Sequence, residues 1–203
     1  MLGLPAGTEI RKVITKKKVY EHFGAEMSAE RRKSFDADIA RITLTNEVSP
    51  VSVNIVAGEN ISSFFVLLVE LKRKDFDKQN IAFLKKIFRQ RLLLVLEYEG
   101  KQSLAVWQTR LILSPWAAPD ALQVTLNGLD LDKVWENIVA KIAGVEVAQG
   151  QTLDEQLAAQ QKRQKQEKEI AKLEKLAWAE KQPKRKFELF STIQNLRNEM
   201  EEQ

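Results

Sequence analysis

Apolar and polar positions alternate in short bursts through most of the chain and lengthen into a helical rhythm near its end. From Ile39 to Val48, Ile39, Arg41, Thr43 and Thr45 alternate with Ala40, Ile42 and Leu44, the period of a half-buried strand that Ser49-Pro50 ends. Ser28 opens a helix ahead of it as an N-cap hydroxyl, with Arg31 rather than an acid three residues on and a short stripe of Phe35 and Ile39. Val51, Val53 and Ile55 predict a second short strand closed by Ala57-Gly58. Phe64–Leu71 is apolar on both faces, as a central strand requires. Asp75 or Asp77 caps the following helix, whose inward stripe is Ile81, Leu84, Lys85 and Phe88. Leu92–Tyr98 reads as another buried strand, and Glu99-Gly100 turns the chain into a hairpin over Ser103–Leu113. A last strand is expected over Leu122–Leu126. Asp130 or Asp132 then caps a helix with Val134, Trp135, Ile138 and Ile142 on one side. The fold class this order predicts is α+β, a mixed central sheet of about five or six strands flanked by helices.

The rhythm changes after residue 150. All eight glycines lie before residue 151, and Thr152-Leu-Asp-Glu155 forms a capping box that starts a long helix. Ile170, Leu173 and Ala177 keep heptad spacing, and so do Leu189, Ile193, Leu196 and Met200, but the second set is shifted by two positions. One straight coiled coil cannot satisfy both seams. Pro183 lies between them and lacks a donor for the helix ladder, so two helices over 152–181 and 184–202 are expected, meeting at a kink or folding into a hairpin. The domain organisation is therefore a globular body over 1–150 and a coiled-coil-like helical arm over 151–203.

Composition narrows the chemistry. The chain has 203 residues, no cysteine and a single histidine, His22. Disulfides, thiolate metal sites, a histidine triad and a multi-histidine cage are excluded within this chain. His22, beside Tyr20 and Phe23, reads as a packed or surface histidine. The net charge of +4 is unevenly spread: residues 1–91 hold 17 basic against 11 acidic groups, 92–150 hold 4 against 7, and 151–203 hold 11 against 10. The basic half contains Lys16, Lys17, Lys18, then Arg31, Arg32, Lys33, then Lys72, Arg73, Lys74. Brought onto one face, these clusters form a phosphate-contacting patch for nucleic acid; left scattered, they are solvated lysines and arginines. No phosphate-binding glycine loop occurs. Met1–Ile14 lacks a signal-peptide pattern and no apolar run approaches membrane length, so a cytoplasmic protein is expected. Trp107, Trp116 and Trp135 read as core or partner anchors, whereas Trp178 stands in the charged tail as a candidate protein-docking residue.

Several segments together carry a resemblance: Leu2-Gly-Leu-Pro5, Phe35-Asp-Ala-Asp-Ile39 with Arg41-Ile42, Leu71-Lys-Arg-Lys-Asp75, Leu129-Asp-Leu-Asp-Lys-Val-Trp-Glu136 and Glu180-Lys-Gln-Pro-Lys-Arg-Lys186. Over its whole length the chain resembles an uncharacterised bacterial domain-of-unknown-function family. Members of that family are typically encoded beside DNA methyltransferases and helicase-type restriction subunits, so the resemblance implies a role in restriction-modification or antiphage defence. It implies no catalytic residues.

Within that context Glu70-Leu71-Lys72, at the end of the Phe64–Leu71 strand, is the pattern with chemistry in it. Restriction nucleases place an acid, a spacer and a lysine on one strand, so that the carboxylate and an upstream acid hold a divalent metal while the lysine assists the attacking water. The element order around it also resembles that nuclease core. The upstream acid is missing: Val51–Ile55 offers none, Glu59 is the nearest carboxylate, and Asp36 and Asp38 lie in or just after the earlier helix. The principal expectation is therefore a non-catalytic accessory subunit with no cofactor and no metal. It would dock a helicase or methyltransferase through Ile170, Leu173, Ala177, Trp178, Leu189, Ile193, Leu196 and Met200, with DNA contact through the basic clusters. The alternatives are a magnesium-dependent nuclease using Glu70 and Lys72, and a self-assembling structural protein that oligomerises through its tail.

Overall fold

The computed structural model describes residues 2–88, 90–108, 110–146 and 151–201. The chain divides into two compact units, 1–144 and 145–203. In chain order the first contains β1 (Glu9–Ile14), α1 (Lys16–Phe23), α2 (Ala29–Asp38), β2 (Ile39–Val48), α3 (Pro50–Val53), β3 (Phe64–Leu71), α4 (Lys78–Ile87), β4 (Arg91–Tyr98), β5 (Lys101–Trp107), β6 (Leu111–Leu113) and α5 (Leu131–Ala143). The second contains α6 (Leu153–Ala179) and α7 (Pro183–Glu201). The architecture is α+β, with one six-stranded mixed sheet.

Strand order in the sheet is β1-β2-β3-β4-β5-β6. Every neighbouring pair is antiparallel except β3 and β4, which run parallel because α4 carries the chain back between them. Alternation along β3 and β4 divides the core. Leu67, Val69 and Leu71, with Leu92, Leu94 and Leu96, face Val19, Phe23, Phe35, Ile81 and Leu84 of α1, α2 and α4. The intervening positions face the other way, and there Phe64 stacks obliquely on Trp135 of α5, ring centroids 5.2 Å apart. Both strands are apolar on both sides because both sides are covered.

Local signals set the helix starts. Asp77 caps α4 by accepting the Gln79 amide at 2.9 Å, and Asp130 caps α5 by accepting the Lys133 amide at 2.8 Å. A Cβ on Gly58 would fall 2.3 Å from the Asp132 carboxyl, so only glycine lets this loop lie on the first turn of α5. There the Asn60 amide and side chain donate to Asp132 Oδ2 at 3.0 and 3.1 Å.

Ser103–Leu113 divides into the antiparallel strands β5 and β6, and three further segments depart from the sequence pattern. Val51–Ile55 is not a strand. Pro50 sits at the start of α3, Ser49 and Ser52 form a reciprocal capping box, and Asn54 ends the turn in the left-handed region at φ 54°. The alternating residues there do not share one buried face, since Val51 is 98% exposed while Val53 and Ile55 are half-buried. Leu122–Leu126 is likewise not a strand: after the single turn at Pro119–Ala121 the chain runs extended, tied by the Val124 amide to the Leu2 carbonyl at 2.9 Å. In the other direction, β1 and α1 form over 9–23, where the sequence announced no element. β1 is exposed along nearly its whole length, so burial left no periodic trace.

The second unit settles kink against hairpin. Glu174 of α6 pairs with Arg197 of α7 at 2.6 Å, and Trp178 meets Phe190 edge-on at 6.0 Å, so rising numbers on one helix meet falling numbers on the other. Pro183 is the first residue of α7, where its missing donor costs nothing. The two heptad sets differ in phase because they belong to two antiparallel helices that face each other.

Candidate functional site

The sheet places one row of polar side chains across four strands. Cα register pairs Arg41 of β2 with Glu70 of β3, Glu70 with Glu97 of β4, and Glu97 with Gln102 of β5. Register partners project to the same face, and neighbouring strands lie about 4.8 Å apart, so the four side chains stand side by side. Arg41 Nε lies 3.9 Å from Glu70 Oε1, and Gln102 Nε2 donates to Glu97 Oε2 at 2.8 Å. Gln102 is only 3% exposed, and its Oε1 is buried with no hydrogen-bond partner.

Glu70 thus lies where the sequence located it, and Lys72 follows just beyond the end of β3, its amide donating to the Asp38 carbonyl at 2.7 Å. Across β2, the position that would supply an upstream acid holds Arg41. Among the described residues no group of three or more His, Cys, Asp or Glu is placed to hold a metal ion. Sequence reasoning misses Glu97 and Gln102. The available signal is an echo: Val69-Glu70-Leu71 and Leu96-Glu97-Tyr98 end two apolar strands in the same way, which matters only once the strands are known to be parallel neighbours.

Asp38 has a different role. Its carboxylate, fully buried, accepts from Arg73 Nε, the Asp77 amide at 2.8 Å and Asn80 Nδ2 at 2.6 Å. It locks the end of α2 to the start of α4. The three basic clusters do converge around this corner, but with aspartates between them: Lys16 on Asp36 at 2.9 Å, Arg31 on Asp77 and Arg73 on Asp38. Arg32 Nη2 donates to the Gly24 carbonyl at 2.8 Å and lies over the Tyr20 ring, and Lys17 pairs with Glu21 at 3.8 Å. Lys17 and Arg73 stay exposed despite their pairs, and Lys18, Lys33, Lys72 and Lys74 are exposed as well, Lys72 adding to the charges that hold Asp36 low. The Gln79 amide first, and then Arg31, hold the Asp77 carboxyl below the usual carboxylate range. Partial burial pushes Asp36 upward, yet the Tyr20 hydroxyl and Lys16 outweigh it and leave Asp36 low. Burial and then the same hydrogen bond, 2.6 Å long, push Tyr20 up.

In the hairpin, Ile170, Ala177 and Ile193 are buried against one another, with Leu173, Leu189, Leu196 and Met200 packed around them. These seam residues serve the hairpin itself. Trp178 meets Phe190 across the hairpin yet stays 74% exposed, with Lys186 Nζ 5.5 Å from its ring, and Phe187 is 75% exposed. A groove of 770 Å³ near the turn is lined by Leu176, Ala179, Leu189 and Arg185 among others. His22 is exposed, edge-on to Phe23 at 5.1 Å. No helix among the described residues is long and apolar enough to cross a membrane.

Fold and site define an α+β protein with a carboxylate pair at one end of a mixed sheet and a separate helical hairpin. The chain belongs to the family described as Domain of unknown function (DUF4391), whose model matches residues 2–200. No curated protein and no solved structure matches it.

Proposed function

We propose that the chain is a non-catalytic accessory subunit of a bacterial antiphage defence or restriction-modification-type system, working in the cytoplasm and docking a helicase or methyltransferase through its helical hairpin. The observation that carries this reading is Trp178, three quarters exposed on a helix whose own seam is filled without it. Large aromatics exposed on a rigid element are the usual anchors of protein interfaces. Lys181, Lys184, Arg185 and Lys186 surround the turn, so the complementary surface is an apolar pocket rimmed by acids. The defence context comes from the gene neighbourhood that the family resemblance implies. Co-expression with the neighbouring methyltransferase and helicase tests it: a complex should form, and Trp178→Ala with Phe187→Ala should dissolve it while the circular dichroism spectrum is kept. Formation of no complex, or defence intact after deletion of 152–203, overturns the proposal.

A second reading has a specific observation behind it. Glu70 and Lys72 end a central strand that pairs antiparallel with β2 and parallel with β4, an arrangement that resembles a restriction-nuclease core. Magnesium-dependent cleavage of plasmid or phage DNA, abolished by Glu70→Ala and by Lys72→Ala, would establish it and displace the non-catalytic reading.

A further inference from the structure

We infer that Asn127 and Gly128 form a site of spontaneous covalent modification, at which the Gly128 amide nitrogen attacks the Asn127 carboxamide and the asparagine becomes aspartate or isoaspartate. The inference is independent of the docking role of the hairpin. Asparagine is among the thermolabile residues, because its side-chain carbonyl carbon can close a succinimide ring with the next residue's backbone nitrogen. A side chain on that next residue obstructs the ring, and glycine has none. Asn127 is the one asparagine of eight that precedes glycine, whereas Asn54, Asn60, Asn80 and Asn137 all precede isoleucine.

The fold leaves the reacting atoms free. Both residues are exposed and lie outside helix and strand, between the extended Leu122–Leu126 run and the cap of α5. Among the described residues, neither the Asn127 carboxamide nor the Gly128 N–H has a hydrogen-bond partner. Other asparagines are held: Asn46 donates to Thr8, Asn60 to Asp132, Asn80 to Asp38, and Asn137 to the Asn127 carbonyl at 2.8 Å. That last bond falls on the peptide group whose nitrogen attacks, and a donor on its carbonyl draws electron density from the nitrogen and eases loss of the proton. The Gly128 proton passes to solvent, the bond from Gly128 N to Asn127 Cγ forms, and the Cγ–Nδ2 bond breaks with release of ammonia. Water then opens the ring at either carbonyl, and the net change is amide plus water to acid plus ammonia. Opening toward isoaspartate reroutes the main chain through the side chain and adds one carbon to it. The loop has no slack for that carbon, since even a Cβ on Gly128 would lie 2.7 Å from the Val134 amide nitrogen. The change therefore bears on the start of α5, which Asp130 caps two residues further on.

Incubation of the folded full chain at mildly alkaline pH, with peptide mass spectrometry and enzymatic methylation of isoaspartate as readouts, tests the site. The peptide holding Asn127 should split into aspartyl and isoaspartyl forms, faster as pH rises, while the peptides holding Asn54 and Asn137 stay unchanged. Asn127→Gln, a conservative change of an exposed side chain, should abolish the isoaspartate signal with the circular dichroism spectrum kept, and Trp178→Ala should not alter it. In the isoaspartyl fraction, amide hydrogen exchange at the start of α5 should quicken, and unchanged exchange there overturns the consequence drawn for α5. Modification of Asn127 no faster than that of Asn54, or isoaspartate at the original level in folded Asn127→Gln, overturns the inference.

Discussion

Asp38 is the residue on which the body turns. A carboxylate with no exposure needs its charge met, and here an arginine, a backbone amide and a carboxamide meet it. Asp38→Ala removes the acceptor shared by Arg73, the Asp77 amide and Asn80, and with Arg73 half exposed and Asn80 still bonded to Ser34, chemical denaturation should show a loss of about 1–3 kcal/mol. Asp38→Asn keeps the volume and should lose less. A pH effect belongs to the same corner. Asp77 and Asp36 titrate below their ordinary value of 3.8, so their stabilisation is complete above that pH and is lost as pH falls through the lower folded values. The thermal midpoint should therefore be insensitive to these two groups from neutrality down to about pH 4 and decline below it. Arg31→Gln should flatten the part of that decline owed to Asp77. The sequence showed Asp36 and Asp38 only as acids in the wrong place for a nuclease. The use of Asp38 as a structural lock was hidden because its partners, Arg73, Asp77 and Asn80, lie some forty residues away, and the partners of Asp36, Lys16 and Tyr20, lie in elements the sequence did not announce.

At the scale of elements, legibility follows burial. β2 and β3 have the boundaries their apolar patterns predict, and the Ser28 cap, the aspartate caps and the Thr152 capping box locate α2, then α4 and α5, then α6. β1 was illegible because an exposed edge strand has no apolar face to reveal it, and α3 reads as a strand because a Pro-capped turn can carry alternating valines without burying them on one common face. For the site, Glu70 was visible as one member of a motif, whereas Glu97 required knowledge of the parallel register. The two out-of-phase heptads were correctly incompatible with one straight coiled coil, and the hairpin resolves them. Ala177, with no exposed surface, is packed with Ile170 and Ile193 in the seam between α6 and α7. Ala177→Leu should overpack that seam by about 1–3 kcal/mol, lowering hairpin stability in amide hydrogen exchange with little change in β3 and β4.

For the molecule as a whole, charge distribution matters more than net charge. The basic half carries its surplus next to aspartates, so most of the nine clustered cations are already engaged. If the body contacts duplex DNA here, the four lysines Lys18, Lys33, Lys72 and Lys74 set the salt dependence. The slope of log affinity against log salt should then be about −4 and not about −8, measured by fluorescence anisotropy. Joint replacement of those lysines by alanine should bring the slope near zero.

The sheet has one more property, which concerns its making. Because spatial order equals chain order, each strand after the first hydrogen-bonds to the strand made just before it. Synthesis proceeds at about 5–20 residues per second, slow beside hairpin closure in microseconds, so the sheet can grow strand by strand as the chain leaves the ribosome. A ribosome that stalls midway through the body therefore leaves a partial sheet in which only the last strand made still lacks a neighbour.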